Sequence, residues 1–278
     1  MKTMNSLSGG KTSSYLAAHH SADVDIFSLV RVEDVKCKFK DKKTRLLVED
    51  KLQKPFIGTA EMDDIIYTML DLEQFIGREI TWTTGETFEQ VIKNHGGYLP
   101  NKMARYCTTD LKTMPILHWI YDNLKEPVIM RFGYRANETG RAERMIEKTV
   151  NGFTRVKATF EKHKDGRNKW KEVDYCKPEF PLIDGNIYKD TIEEFWKDKD
   201  VRFAYMNNCV GCHWRSPLLL RKMFDKEARK MQWFTDIENG SKGTFRSDVA
   251  YEKIKQWNPQ IEMFDDDFNE CDSGSCGL

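Results

Sequence analysis

Ser6-Leu7-Ser8-Gly9-Gly10-Lys11-Thr12-Ser13-Ser14 is the stretch on which the reading of this chain turns. The residues before it leave room for one strand, and Tyr15-Leu16-Ala17-Ala18 after it reads as a helix start. Two consecutive glycines let the backbone turn sharply and approach a ligand with no side chain in the way. The amides that follow stand at a helix N-terminus, where unpaired N–H groups and the macrodipole favour an anion. Lys11 and the hydroxyls of Ser8, Thr12, Ser13 and Ser14 complete a phosphate cradle. A Walker A loop is excluded, because that motif places four residues between its first glycine and the Gly-Lys pair. Taken alone, such a run also reads as a solvated turn.

Outside this loop, composition narrows the field. The 278 residues carry 44 basic and 44 acidic side chains, so overall charge points to no polyanionic partner. A hydrophobic share of 40% and a charged share of 32% suit a soluble globular chain. No apolar run approaches the ~18 residues of a membrane span. The glycine loop begins within eight residues of Met1, so no signal peptide is expected. Seven cysteines, an odd number, point to a reducing, cytoplasmic setting with thiols used for metal binding or catalysis and not for a disulfide framework.

Along the chain, strand and helix patterns alternate. Asp25 to Val32 is a short apolar run that fits a buried parallel strand, and a basic segment from Lys36 to Lys51 carries Cys37. Asp63 to Gln74 is apolar at helical spacing, Arg78 to Thr83 alternates like a strand, and Thr87 to Asn94 reads as a helix. Ile116 to Leu124 continues as helix, and Pro127 to Phe132 is a strand that ends at Gly133. This alternation predicts βαβ units and an α/β fold: a doubly wound, mostly parallel sheet with ligands bound beyond the carboxyl ends of its strands. Thr154 to Glu161 and Lys169 to Val173 read as a polar hairpin with Gly166 at its tip; its basic and aromatic side chains suit an exposed edge better than a nucleic-acid contact.

Two further constellations carry chemistry. Cys107 and Lys112 stand five residues apart near a helix start, where a thiolate is favoured, although Cys107 alone also reads as a small buried hydrophobe. Past Gly133, Arg135, Arg141 and Arg144 offer planar charges suited to phosphate or sulfate oxygens, and Glu138 can orient one of them or hold a magnesium water.

In order, Ser8-Gly9-Gly10-Lys11-Thr12-Ser13, then Cys107 to Lys112 and Pro115, then Gly133-x-Arg135-x-x-Glu138-Thr139-x-Arg141 resemble the landmarks of the PAPS reductase-like family in the PP-loop ATPase superfamily. Phe180-Pro181-Leu182-Ile183-Asp184 is similar to that family's segment before its next helix, here about Asp190 to Lys197. The resemblance covers roughly residues 4 to 197, with Thr12 where Asp is common and Thr139 where Ser is usual. It implies a nucleotide-binding domain over 1–197; the rest, 198–278, reads as a helical, cysteine-bearing region whose polar-apolar pattern predicts helices at Ser216 to Asn239 and Ser247 to Gln256. It also implies that Ser8 to Ser13, Gly133 and Glu138 hold ATP or a PAPS-like adenine nucleotide, while Cys107, Lys112, Arg135 and Arg141 serve the reaction.

The remaining thiols form a second motif. Cys209-Val210-Gly211-Cys212 has the spacing at which two thiolates reach one metal, and Cys271 and Cys276 close the chain. Four thiolates suit a [4Fe–4S] cluster, with structural zinc as the alternative. Cys-x-x-Cys-His213 also matches a c-type haem attachment pattern, which the expected absence of export opposes. In the APS-reducing branch a Cys pair precedes the Lys; here Thr108 replaces its second member, so Cys107, Cys209 and Cys212 around an open iron is the rival ligand set. Cys276-Gly277-Leu278 echoes the reductases' Glu-Cys-Gly-Leu-His without its Glu and His. Cys37 and Cys176 read as structural. The resemblance implies sulfur chemistry: reduction of an adenylylated sulfate with a thioredoxin-like electron donor, or magnesium- and ATP-dependent adenylation followed by transfer from a sulfur donor. The alternative is a nucleotide-binding redox sensor or interaction protein.

Overall fold

Met4, Asn5 and Leu7 are buried, and this marks the first strand, β1 (Thr3–Leu7), as a central one. The computed structural model describes residues 1–258. The other strands are β2 (Val24–Ser28), β3 (Arg31–Val32), β4 (Gly58–Thr59), β5 (Ile80–Thr83), β6 (Val128–Arg131), β7 (Thr154–Lys162) and β8 (Asn168–Glu179). Among the described residues six of them form one sheet in the order β5-β2-β1-β6-β8-β7. Every pair is parallel except the β7–β8 hairpin. The chain runs from β1 outward through β2 to β5, then returns to β6 on the other side of β1. That reversal opens a crevice at the carboxyl ends of β1 and β6, where open parallel sheets bind ligands. The α/β class and the mostly parallel sheet expected from the sequence are present, with helices packed on the sheet.

The chain divides into two compact units. The first comprises Met1–Ser28, Thr68–Thr83 and Met114–Phe203; the second comprises Leu29–Tyr67, Thr84–Thr113 and the chain from Ala204 onward. The expected linear boundary at 197/198 assigns residues 29–67 and 84–113 to the sheet, whereas their contacts group them with the C-terminal stretch.

In the first unit Met4, Ile26, Leu117, Ile120, Val128 and Met130 form the apolar core. A buried polar network pins the sheet beside them. Asn5 Nδ2 donates to Asp25 Oδ1 at 2.8 Å and to the His20 carbonyl at 2.7 Å. Arg78 closes on Asp25 Oδ2 at 2.8 Å and on the Ala17 carbonyl at 2.8 Å. Satisfied in this way, a buried carboxylate fixes register; stripped of its cation it would be strongly destabilising.

The second unit is built on aromatic packing. Phe88 meets Trp233 edge-on, with centroids 5.5 Å apart, and Trp233 meets Phe234 at 4.7 Å. Phe245 stacks on Tyr251 at 5.2 Å.

Three local readings change. The strand expected over Asp25 to Val32 ends at Ser28; the Leu29 carbonyl accepts from the Thr84 hydroxyl at 2.8 Å, and Arg31–Val32 pairs antiparallel with Gly58–Thr59. The helix expected over Ser216 to Asn239 is two, Pro217–Lys226 and Ala228–Gly240, broken at Glu227 where φ is −127°. The hairpin's second strand runs on to Glu179, because Cys176 to Glu179 pair with β6.

Gly58 admits no side chain: a Cβ there would lie 1.7 Å from the Cys37 carbonyl oxygen. Gly58→Ala is expected to lower stability by about 3 kcal/mol in urea titration. Gly240→Ala, whose Cβ meets no atom within 4 Å, is expected to leave stability unchanged or slightly raised.

Candidate functional site

β1 ends at Leu7, and Ser8 to Gly10 turn the chain into the helix Lys11–His19. Gly9 has φ +79°, a left-handed conformation that a side chain makes costly. Gly10 is the N-cap, at φ −98° and ψ 156°, and offers no side chain to the first-turn amides. Ser13 fixes the turn: its Oγ accepts from the Ser8 amide at 3.1 Å, donates to the Gly10 carbonyl at 3.1 Å and lies 3.1 Å from Ser8 Oγ. The Ser14 hydroxyl is buried with no protein partner. The amides of Lys11, Thr12 and Ser13 therefore stand at an uncapped helix N-terminus, the arrangement that binds phosphate.

Lys11 is held from the first unit's last helix, Lys189–Trp196. Its ammonium pairs with Glu193, and its carbonyl accepts from Trp196 Nε1 at 3.0 Å. Nothing in the sequence connects residues this far apart, so neither partner is readable from it.

Gly133 follows β6 and faces the same turn. A Cβ at Gly133 would stand 3.1 Å from the Ser13 Cα and 3.2 Å from its nitrogen, so the two loops meet backbone to backbone. Glu138 then gathers both arginines of the next segment. Its carboxylate accepts from the Arg135 amide at 2.9 Å, from Arg135 Nε at 3.2 Å and from Arg141 Nη1 at 3.1 Å. The Arg141 guanidinium also lies 4.0 Å from the centroid of the Tyr134 ring, which stacks on Phe180 at 5.3 Å. Burial pushes the Tyr134 hydroxyl up, against the opposing pull of Arg141. Arg144 is exposed. The structure thus brings Ser8, Gly9, Gly10, Lys11, Thr12, Ser13, Gly133, Arg135, Glu138 and Arg141 into one unit, around the crevice between β1 and β6.

Cys107 and Lys112 belong to the second unit, as do Cys209 and Cys212. The Cys209–Cys212 turn is tight: the Cys212 amide donates to the Cys209 carbonyl at 3.1 Å. Gly211 packs under Phe234, where a Cβ would come within 2.5 Å of the ring. Tyr251 donates from its hydroxyl to the Gly211 carbonyl at 2.9 Å, and Arg246 clamps the carbonyl of His213 at 2.9 Å. Arg215 donates to the carbonyl of Asn207.

The thiols feel one another. Burial and, next, the Cys212 thiol push Cys107 up to about 11. Burial raises Cys209 far above the usual range, and the nearby Glu61 adds to it while Lys112 opposes it. His213 is driven down to about 4 by burial and by Arg105, Arg246 and Lys102, so it is neutral at pH 7.

Glu61 is the residue here that sequence reading misses, since nothing around it marks a functional acid. It is fully buried, its Oε1 accepts from Lys112 Nζ at 2.8 Å, and its carbonyl takes the Lys230 ammonium. Lys230 also reaches Asp63 at 2.5 Å.

Among the described residues no three Cys, His, Asp or Glu side chains stand close enough to hold a metal ion together. Cys209, Cys212 and Cys107 match a soft metal in kind; Cys209 and Cys107 are desolvated thiols near Lys112 and Arg105, and a metal would offset the cost of their ionisation. Cys271 and Cys276 lie outside the described residues. Cys37 and Cys176 are fully buried, and burial pushes the Cys176 thiol up to about 12.

Replacing Lys112 by Met leaves the Glu61 carboxylate buried beside thiols and is expected to cost about 3 kcal/mol of stability. Glu61→Gln in the same chain is expected to recover most of it, a coupling read from denaturant unfolding of the two single variants and the double. Comparison of the chain with models of known families, with curated proteins and with solved structures returns no match.

Proposed function

We propose that the chain is a PAPS reductase-like enzyme that binds ATP or an adenylylated sulfate through its first unit and performs sulfur chemistry on the bound adenylate. The observation that carries this reading is the contact of the Gly133 loop with the backbone of Ser13, which joins the glycine turn after β1 to the arginine segment after β6 at the sheet's reversal point. A phosphate chain in that crevice meets uncapped helix amides on one side. On the other it meets two guanidinium groups already oriented by Glu138.

The chemistry asked of such a site is mostly charge placement. Negative charge develops on the oxygens of the attacked phosphorus or sulfur, and donors held in advance stabilise it without reorganising. Lys11 shifts from its carboxylate partner Glu193 to the phosphates at little cost, because an exposed ion pair is weak. Arg135 and Arg141 hold the oxygens that gain charge. In the adenylation route an acceptor displaces pyrophosphate, and magnesium would neutralise the phosphates; in the reductive route a thiolate attacks the sulfur of the adenylylated sulfate, the nucleotide leaves with the electron pair of the S–O bond, and a second thiol, from a thioredoxin-like donor, then displaces sulfite as a disulfide forms. An iron–sulfur centre would be held by Cys209 and Cys212 with further thiolates from Cys107, Cys271 or Cys276, and would supply electron storage and affinity for sulfur. Zinc on the same ligands would act structurally.

Calorimetric titration with ATP and with the adenylylated sulfate tests the reading. Lys11→Ala and Arg141→Ala are each expected to weaken binding about tenfold or more, the loss of one charge-assisted hydrogen bond. Gly133→Ala is expected to weaken it as well, although it removes no charge, by forcing the two loops apart. Absence of binding by either nucleotide, or binding indifferent to all three substitutions, refutes the assignment. Release of pyrophosphate from ATP selects adenylation, and release of sulfite from the adenylylated sulfate selects reduction.

A further inference from the structure

Residues 36–45 hold six basic side chains and one acidic, in a chain whose formal net charge is zero. They belong to the second unit, whereas the residues proposed to hold the nucleotide belong to the first. The backbone there is firmly held. Val35–Cys37 form a 3-10 turn capped by Asp34, the Phe39 amide donates to the Ile57 carbonyl at 3.0 Å, and Cys37 and Phe39 are buried. Between and after these anchors Lys38 and Lys40 are exposed, about 6.6 Å apart at the usual strand rise. The helix Lys42–Leu52 begins two residues later with Lys42 and Lys43, both exposed.

That placement opposes the fold's own interest. A helix favours acids in its first turn, and this one has none. Asp41, the single acid of the stretch, caps the helix by accepting from the Lys43 amide at 2.9 Å and the Thr44 hydroxyl at 2.7 Å. Lys36 is paired with Asp236 at 3.0 Å, but among the described residues no salt bridge takes Lys38, Lys40, Lys42 or Lys43. The β7–β8 hairpin behaves differently. There Arg155, Arg167 and Lys169 are matched to Glu172, Asp165 and Glu161, and its other exposed lysines, Lys157, Lys164 and Lys171, are spread along the hairpin and not gathered in one row. Apolar side chains border the lysine row: Val35 is 67% exposed, Leu46 51% and Leu47 43%.

We propose that Lys38, Lys40, Lys42 and Lys43 dock the phosphodiester backbone of a polynucleotide strand, with Val35 and Leu46 against its sugars or bases. A row of unpaired cations on a rigid support matches an anion that repeats along a line. A lipid surface fits less well. Val48 and Leu52 of the helix are committed to the core, and two adjacent leucines do not make the broad apolar face that membrane-surface helices bury.

The test is fluorescence anisotropy of a labelled single-stranded oligonucleotide of about twenty nucleotides, with its duplex alongside, titrated with the full chain from about 50 to about 200 mM salt. Four phosphate contacts predict a slope of about −3 for log affinity against log salt on the single strand. The combined variant Lys38→Gln, Lys40→Gln, Lys42→Gln, Lys43→Gln is expected to lose about tenfold or more in affinity and most of that slope, while its ATP affinity and melting temperature stay as in the parent. Lys11→Ala, which acts at the other unit, is expected to leave oligonucleotide binding unchanged. The proposal is overturned by no binding at the lowest salt, by an unchanged slope in the glutamine variant, by loss of binding in Lys11→Ala, or by binding to phosphatidylserine vesicles without binding to the oligonucleotide.

Discussion

A β-carbon at position 133 would stand 3.1 Å from the Cα of Ser13, tighter than ordinary side-chain contact allows. That clearance decides what the first unit can do. With glycine there, the exit of β6 lies on the turn after β1, and the segment that carries Arg135 and Arg141 starts from the backbone of the glycine turn. The residues on either side are distant in sequence, so only the parallel sheet and its reversal between β1 and β6 bring them together. The remainder of the site is adjustment to this approach: Gly9 supplies the left-handed turn, Ser13 ties it, and Trp196 holds the Lys11 carbonyl from outside.

Each unit also relies on one carboxylate that organises two cations. Glu138 holds Arg135 and Arg141; Glu61 takes Lys112 on its carboxylate and Lys230 on its carbonyl. Glu138 is partly exposed, so its pairs set the direction of the two guanidinium groups more than they add stability. Glu61 is fully buried, so removing Lys112 would leave its carboxylate without its cation. Burial raises the Cys209 thiol first; of the pair, Glu61 adds to that rise and Lys112 opposes it.

What the sequence shows and hides follows from range. The glycine turn, the capped helix at Thr87 and the Gly133 exit are local, each set by residues within a turn of one another, and they are legible. So is the alternation that yields a parallel sheet. The Glu193 partner of Lys11 and the Glu61 partner of Lys112 are not, because a lone glutamate carries no signal of what it will meet. The compact units escape a linear reading for the same reason: segments 29–67 and 84–113 alternate like the rest of the α/β chain, and only their packing joins them to the aromatic core of Trp233 and Phe234. The strand expected over Lys169 to Val173 runs on to Glu179, and at Met130↔Pro178 the parallel ladder tolerates a proline.

Net charge misleads for a related reason. Equal totals of acid and base say nothing about a polyanion when the acids are consumed as caps and pairs while some of the bases are left over. Asp41 is spent on helix amides, Asp236 on Lys36 and Asp63 on Lys230. Among the cations beside them Lys43 feels Asp41 and Lys40 feels Glu227, but among the described residues neither closes a salt bridge, and at physiological ionic strength a field is felt only over about 8 Å. Over that distance a neutral protein presents a strongly positive face at Lys38 to Lys43. Four lysines within six residues repel one another in the folded state, a cost a long-range partner with repeating negative charge would remove on binding.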